Sequence, residues 1–379
     1  TLMMFIWRGD TILRHNPMGR PVFDLFMLVP FLLGLVWCAR NWRRPAPMAL
    51  LLWLTIMLGP TILAADAPHF LRAAGILPAV VYLPAIGLER LWLWIKKSSS
   101  IGPLLVAGLI LGNLLITIRD YTVYAGDPQV ANAFESVATD LAQQINDEST
   151  DGGLFVDERL WRNWPSVRFL TNDTENVHIF ASPADLPSPI TLPVTFFVWP
   201  YESLDYIPAS LTAPALISAS ESDLVYDELD YSAYQLYLRY DAEQVPQNLT
   251  NPVVRFEEGL TLQQANVLEL ADGRLQVDVY WQSDRKLDEE MAVFIHIIGA
   301  DRLVGQHDGP PAAGHWQASW WQPGQVIYDR HILTLSEPYD DAQHQVLVGL
   351  YRAASGERLP AFDAETGEHM GTSWSLSPN

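Results

Sequence analysis

The sequence predicts a multidomain membrane protein: about four α-helical transmembrane segments, a small α/β domain, and a C-terminal antiparallel β-sandwich of jelly-roll type. Three observations predict it. Long apolar runs occur only within the first 118 of the 379 residues. Residues 1–118 carry ten Lys and Arg against four Asp and Glu, whereas residues 119–379 carry thirteen against forty. The apolar pattern changes again near residue 253, from mixed periods to a strict alternation that suits strands.

The runs are Pro21–Ala39, Pro47–Ala65, Ala73–Ile95 and Ile101–Ile118. Each approaches the roughly 20 residues that a helix needs to cross a bilayer. Residues 1–118 are therefore expected to be the membrane part, integral to the cytoplasmic membrane. Pro78 and Pro84 in the third run predict kinks and a helix packed among neighbours. Cys38, the single cysteine, lies in the first run and rules out a disulfide within the chain. The chain opens on Thr1-Leu-Met-Met-Phe-Ile-Trp7 without a basic leader, which reads as a piece whose upstream part is missing.

Basic residues set the orientation. Arg40, Arg43 and Arg44 follow the first run, Arg90 lies near the end of the third and Lys96 and Lys97 follow it, which places both links on the cytoplasmic side. Segments 8–20 and 66–72, and everything after Arg119, are then expected outside. Those two outer segments still carry Arg8, Arg14, Arg20 and Arg72, against the simple charge rule.

Residues 119–240 alternate between helix and strand patterns. Asp127 and Pro128 start an amphipathic helix running through Val130, Phe134, Val137, Leu141 and Ile145. Strands are expected at 153–156, 177–180, 194–198, 215–220 and 234–240, with short helices at 164–170 and 201–206. No Gly-rich phosphate loop and no nucleophile elbow is present. Asp157 and Glu158 follow a strand end and read as a helix-capping pair or an acidic site. Residues 241–252, with Pro246 and Pro252, read as a linker, and 253–379 as the β-sandwich. The acidic surface repels phosphate backbones, so nucleic acid is not an expected partner.

Several clusters invite chemistry. His296, His307, Asp308, Asp329 and His331 have metal-ligating side chains but no tight ligand spacing, so the pattern identifies no metal site and no cofactor. Trp316, Trp320 and Trp321 are either core or a carbohydrate-stacking face. Asn172-Asp-Thr174 and Asn248-Leu-Thr250 match glycan-acceptor patterns. Most suggestive are the outer segments. Arg14, His15, Arg20, His69 and Arg72 form a basic set suited either to a lipid phosphate or diphosphate, or to headgroups and the neighbouring Asp10 and Asp66.

Phe5-Ile-Trp-Arg-Gly-Asp10, Arg14-His-Asn-Pro-Met-Gly-Arg-Pro21 and Ala67-Pro-His-Phe-Leu-Arg-Ala-Ala-Gly-Ile-Leu-Pro78 resemble the C-terminal half of bacterial GT-C-type membrane glycosyltransferases of the family 39 or protein-mannosyltransferase-like group. Val293-Phe-Ile-His296, Gln306-His-Asp-Gly-Pro-Pro311, Trp321-Gln-Pro-Gly324, Val348-Gly-Leu-Tyr351 and Gly356-Glu-Arg-Leu-Pro360 are similar to a β-sandwich appended to some of them. The resemblance implies a polyprenyl-phosphate sugar donor, a glycan or protein acceptor, and inverting transfer outside the membrane. It also implies a catalytic acid residue in a first external loop that this chain lacks. No catalytic residue is therefore carried over, with Asp10 or Asp66 as the acceptor base the weaker alternative, and the chain by itself is expected to be inactive. What carries over is the lipid-phosphate role of Arg14, His15, Arg20, His69 and Arg72. A different expectation, from the composition alone, is a membrane-anchored glycan-binding or structural module.

Overall fold

Helix α1 begins where Asp24 accepts hydrogen bonds from the Phe26 and Met27 N–H groups at 2.9 Å, a side-chain cap for donors that a helix start leaves unpaired. It spans Leu25–Arg40, and α2 spans Pro45–Met57 with proline in its first turn. The short helix α3 (Gly59–Ile62) precedes the 66–72 segment, and α4 (Phe70–Ala73) begins within it. Then come α5 (Leu77–Lys96), α6 (Gly102–Ala125) and α7 (Pro128–Ala133). The computed structural model describes residues 1–96, 102–148, 153–211, 214–226, 232–300 and 302–376. Lys97 and Ile101, at the edges of the third and fourth apolar runs, lie outside the described residues. The chain divides into two compact units, Thr1–Ser136 and Val137–Asn379.

Among the described residues of the first unit, three helical stretches are long and apolar enough to cross a membrane: Pro45–Ile62, Phe70–Ile95 and Gly102–Ala125. The four-helix expectation is thus met only in part. α1 has 16 residues, about 24 Å at 1.5 Å per residue, short of a hydrocarbon core of roughly 30 Å. The cause is local: Pro21 to Phe23 precede the Asp24 cap and stay outside the helix. Pro78 lies in the first turn of α5, where no helical donor is lost, so of the two prolines only Pro84 is interior.

α1 and α5 are in direct backbone contact. A Cβ on Gly34 would fall 1.9 Å from the Leu83 carbonyl oxygen, and one on Gly87 only 1.8 Å from that of Pro30. Small residues let apolar helices approach this closely, which is how packing replaces the hydrophobic effect in lipid. At one end of the pair, the Arg90 guanidinium sits 4.4 Å from the Trp37 ring centre. At the other end, Asn113 donates to the Asp24 carboxylate at 2.8 Å, tying α6 to the start of α1. Met4, Phe5, Phe23 and Phe31 share one apolar core with Leu54, Leu58 and Leu83.

In the second unit, α8 (Ser136–Asp147) turns Val137, Leu141 and Ile145 onto the strands Gly153–Asp157, Val177–Phe180 and Val194–Val198, which pair in parallel. The expected single helix from 127 is two, because Glu135 takes a left-handed conformation (φ +57°) that ends the first one. Strand Val194–Val198 is buried along its whole length, with Phe197 toward α8 and Phe196 toward the other core.

Among the described residues, these strands belong to one eleven-stranded mixed sheet. From the Val177–Phe180 edge it continues through Gly153–Asp157, Val194–Val198, Leu238–Glu243, Ala215–Glu221, Gln325–Leu333, Leu275–Ser283 and Leu260–Glu269 to three short edge strands. A four-stranded antiparallel sheet contains Arg302–Gly309, Met291–Gly299, His344–Arg352 and Trp374–Leu376. Residues of both sheets share one apolar core. The expected partition between 240 and 253 does not separate units. Residues 241–243 lie in a strand, and Gln325–Ile327 pair in parallel with Ala215–Ile217. That pairing covers an edge that would otherwise leave unpaired backbone groups on each sheet.

Two substitutions test the helix contact. Gly87→Val should destabilise the detergent-solubilised chain by about 1–3 kcal/mol through overpacking, read as an earlier thermal unfolding. Gly108→Ala, which has open space around it, should be neutral or slightly stabilising.

Candidate functional site

Asp10 is 1% exposed, a burial that an ionised carboxylate tolerates only when hydrogen-bonded. It is well supplied. Oδ1 accepts from the Ile12 N–H at 2.8 Å, and Oδ2 accepts from the Phe70 N–H at 2.7 Å and meets His15 Nδ1 at 3.1 Å. Burial alone would raise its pKa, but these hydrogen bonds outweigh it and hold the carboxyl below its usual range. Asn16 fixes the loop from beneath by donating to the carbonyls of Asp10 and Arg20 at 2.8 and 2.9 Å. Gly9 is required here, because a Cβ would meet the Arg20 carbonyl oxygen at 2.0 Å.

Segment 66–72 meets this loop through His69. Its backbone N–H donates to the buried Thr61 hydroxyl at 3.0 Å, and its Nδ1 caps α4 by accepting from the Arg72 N–H at 3.3 Å. The His15 and His69 ring centres are 4.8 Å apart. The outcome is a cluster of Asp10, His15 and His69 in which one ligand-type atom from each residue lies within 4.8 Å of the others.

The five residues expected to bind a lipid phosphate are therefore split. His15 and His69 are together. Arg72 is half-exposed beside them, with its guanidinium on Asp66, and His69 Nε2 lies 3.7 Å from the same carboxylate. Arg20 turns to α6, 3.2 Å from Asp120 and 2.8 Å from the Thr117 hydroxyl. Arg14 donates to the Ala133 carbonyl and pairs with Glu135 at 3.7 Å, the position of a cation at a helix C-terminus. From the sequence alone, Asp10 reads as a neighbour of the basic set and, like Asp66, as a weaker candidate for the base that activates the acceptor. The signal for more was its short span to His15 across a Gly- and Pro-rich loop, but the partner His69 lies 59 residues away from Asp10 and no local pattern announces it.

In the second unit, the histidine and aspartate set resolves into an internally satisfied chain. Asp329 accepts from the Ala312 N–H at 2.9 Å, the Trp281 indole N–H at 3.2 Å and His331 Nε2 at 2.8 Å. His331 Nδ1 in turn lies 2.8 Å from His307 Nδ1, within hydrogen-bond distance. His296 stands apart, 3.7 Å from Asp308. Asp157 caps the helix Glu158–Asn163, accepting from the Arg159 N–H at 2.8 Å, and is a structural carboxylate.

Two of the three tryptophans named as a possible carbohydrate face lie in the core. Trp316 and Trp321 are fully buried, and Trp320 packs edge-on against Trp316 with centres 5.9 Å apart. Burying an aromatic side chain of this size contributes about 4–6 kcal/mol of transfer free energy, so they serve the core of the two sheets. Asn172 lies in an exposed loop and Asn248 in an exposed 3-10 turn.

No family model matches the chain, and no curated protein matches it. Similar solved structures include a β-glucuronidase of glycoside hydrolase family 2, 7% identical over 34% of this chain and 13% of that one, with a TM-score of 0.20. A calcium-binding mutant of Bacteroides uniformis β-glucuronidase 2 is 11% identical over 38% of this chain and 16% of that one, TM-score 0.21. An endonuclease/exonuclease/phosphatase from Beutenbergia cavernae is 10% identical over 52% of this chain and 56% of that one, TM-score 0.19. The chain covers less than two thirds of each, and likenesses this weak carry no argument.

Acid is expected to destabilise the second unit through His307, which is partly buried against His331. Burial first, and then the neighbouring His331, lower the His307 pKa below 6.5, with Asp329 and Asp308 opposing. A depressed folded pKa means that the stability is full above 6.5 and is lost as pH falls through the folded value. Denaturant unfolding followed from about pH 7.5 to about pH 5 should show that loss, and His307→Gln should flatten the slope. An unchanged slope in the variant would contradict this assignment.

Proposed function

We propose that the chain is part of an integral-membrane glycosyltransferase that moves a sugar from a polyprenyl-phosphate carrier to a glycan or protein acceptor. In this reading the Asp10–His15–His69 end faces outward, and residues 119–379 lie on the extracytoplasmic side. The observation that carries it is the convergence of segments 8–20 and 66–72 on one buried carboxylate and two imidazoles, with Arg72 beside them. This cluster lies at the end of a unit whose helices are long and apolar enough to cross a membrane. The sequence resemblance described above supports the same reading.

The chemistry asks for positive charge beside the donor phosphate, placed before the sugar leaves. Arg72 is the suited cation, since its guanidinium is half-exposed and shares Asp66 with His69. An incoming phosphate oxygen can replace Asp66 on both partners. Arg14 and Arg20 do other work: they hold α7 and α6 onto the loop and shape the site at one remove. No residue of this chain is assigned as the base that activates the acceptor. The alternative, an anchored glycan-binding module, needs exposed tryptophan faces in the second unit, and two of its three candidates are buried.

Nanodiscs that contain the full chain and a small fraction of polyprenyl phosphate or uncharged polyprenol provide the test. Mass spectrometry of co-purified lipid should show the phosphate form enriched. Arg72→Gln should reduce that enrichment about tenfold, the loss of one charge-assisted hydrogen bond. Equal enrichment of the uncharged lipid, or an Arg72→Gln variant that behaves as wild type, would contradict the proposal.

A further inference from the structure

The geometry points to a divalent metal site, of the kind that takes zinc, built from Asp10, His15 and His69. The proposal goes beyond the sugar-transfer reading and stands without it.

The donor set is the first argument. Two imidazoles and one carboxylate are a common three-residue zinc set, with the remaining position open to water or to an oxygen of a bound molecule. The three ligand-type atoms lie within 4.8 Å of one another. Ligand atoms around tetrahedral zinc lie roughly 3.3–3.5 Å apart, given bonds of about 2.0–2.1 Å. The Asp10 Oδ2 to His15 Nδ1 distance of 3.1 Å is already close to that. Closing the remainder would take a side-chain rotation at His69, at the cost of the long 3.3 Å hydrogen bond from the Arg72 N–H.

The support around the ligands is the second argument. Asp10 is held by two backbone N–H groups from different segments, and His69 is anchored through its own N–H to the buried Thr61 hydroxyl. Asp66 lies 3.7 Å from His69 Nε2, where a carboxylate can orient a ligating imidazole. Asp10 and His69 are more than nine-tenths buried, and His15 lies partly open to the surface, which leaves a route for the ion.

Charge is the third argument. Three arginines near the cluster have carboxylate partners: Arg14 with Glu135, Arg20 with Asp120 and Arg72 with Asp66. With neutral imidazoles the cluster itself carries the single negative charge of Asp10. A divalent cation would turn that to a net positive charge at the one place where the two segments meet.

The test uses the full chain, purified in detergent without a polyhistidine tag, stripped with a chelator and then given zinc alone. After desalting, elemental analysis should find one zinc per chain. Asp10→Asn, His15→Gln and His69→Gln should each cut retention at least tenfold, about the effect of losing a ligand or its support. His344→Gln, in the second unit, should leave it unchanged. Cobalt(II) added in place of zinc should give the intense visible bands of a four-coordinate site, which needs no variant to fold. A wild-type chain that retains no zinc, zinc that survives in all three variants, or a weak six-coordinate cobalt spectrum would each overturn the site. The zinc titration contains no polyprenyl phosphate, so its failure leaves the lipid-enrichment result standing, and the reverse holds as well.

Discussion

One buried carboxylate organises the first unit. An ionised Asp10 removed from water would cost several kcal/mol without partners, so the chain around it is built to supply them. The Ile12 N–H comes from its own loop and the Phe70 N–H from a segment 60 residues away, so satisfying the charge brings the two together. Other features follow from that demand. Gly9 and Asn16 let the loop close over Arg20, Thr61 positions His69, and α4 begins where His69 caps it. The imidazoles are near each other because both segments answer to the same anion.

Helix packing makes this arrangement durable. Gly34 and Gly87 bring the α1 and α5 backbones into contact, and Asn113 fastens α6 to the capping Asp24. These contacts sit within apolar helices, where propensity counts for little and close approach counts for much. The polar cluster therefore rests on rigid elements, as a binding site requires.

Much of this was legible in the sequence, and the gaps have physical causes. Apolar runs and basic links gave the helices and placed 8–20 with 66–72, because composition reports solvent directly. α1 came out shorter because Asp24 caps more strongly than Pro21 to Phe23 extend. The strands at 177–180 and 194–198 were readable from local alternation and β-branched residues. The join between the Ala215–Glu221 and Gln325–Leu333 strands was not, because it depends on backbone pairing between residues more than a hundred positions apart. The same holds for the site. Arg14, His15, Arg20, His69 and Arg72 were visible as a basic set, but which of them face one another depends on carboxylates at 10, 66, 120 and 135 that only the fold brings into range. The tryptophans show the opposite limit: a cluster of rings reads alike whether it stacks on a sugar or fills a core, and only burial separates the two.

The central claim is that Asp10 holds two distant segments in one site. Hydrogen–deuterium exchange on the detergent-solubilised chain, wild type against Asp10→Asn, tests it most directly. The account predicts faster exchange in the variant at both the 8–20 and the 61–73 segments, including the Phe70 amide, with the sheets of the second unit unchanged. Faster exchange confined to 8–20, with Phe70 as protected as before, would contradict it.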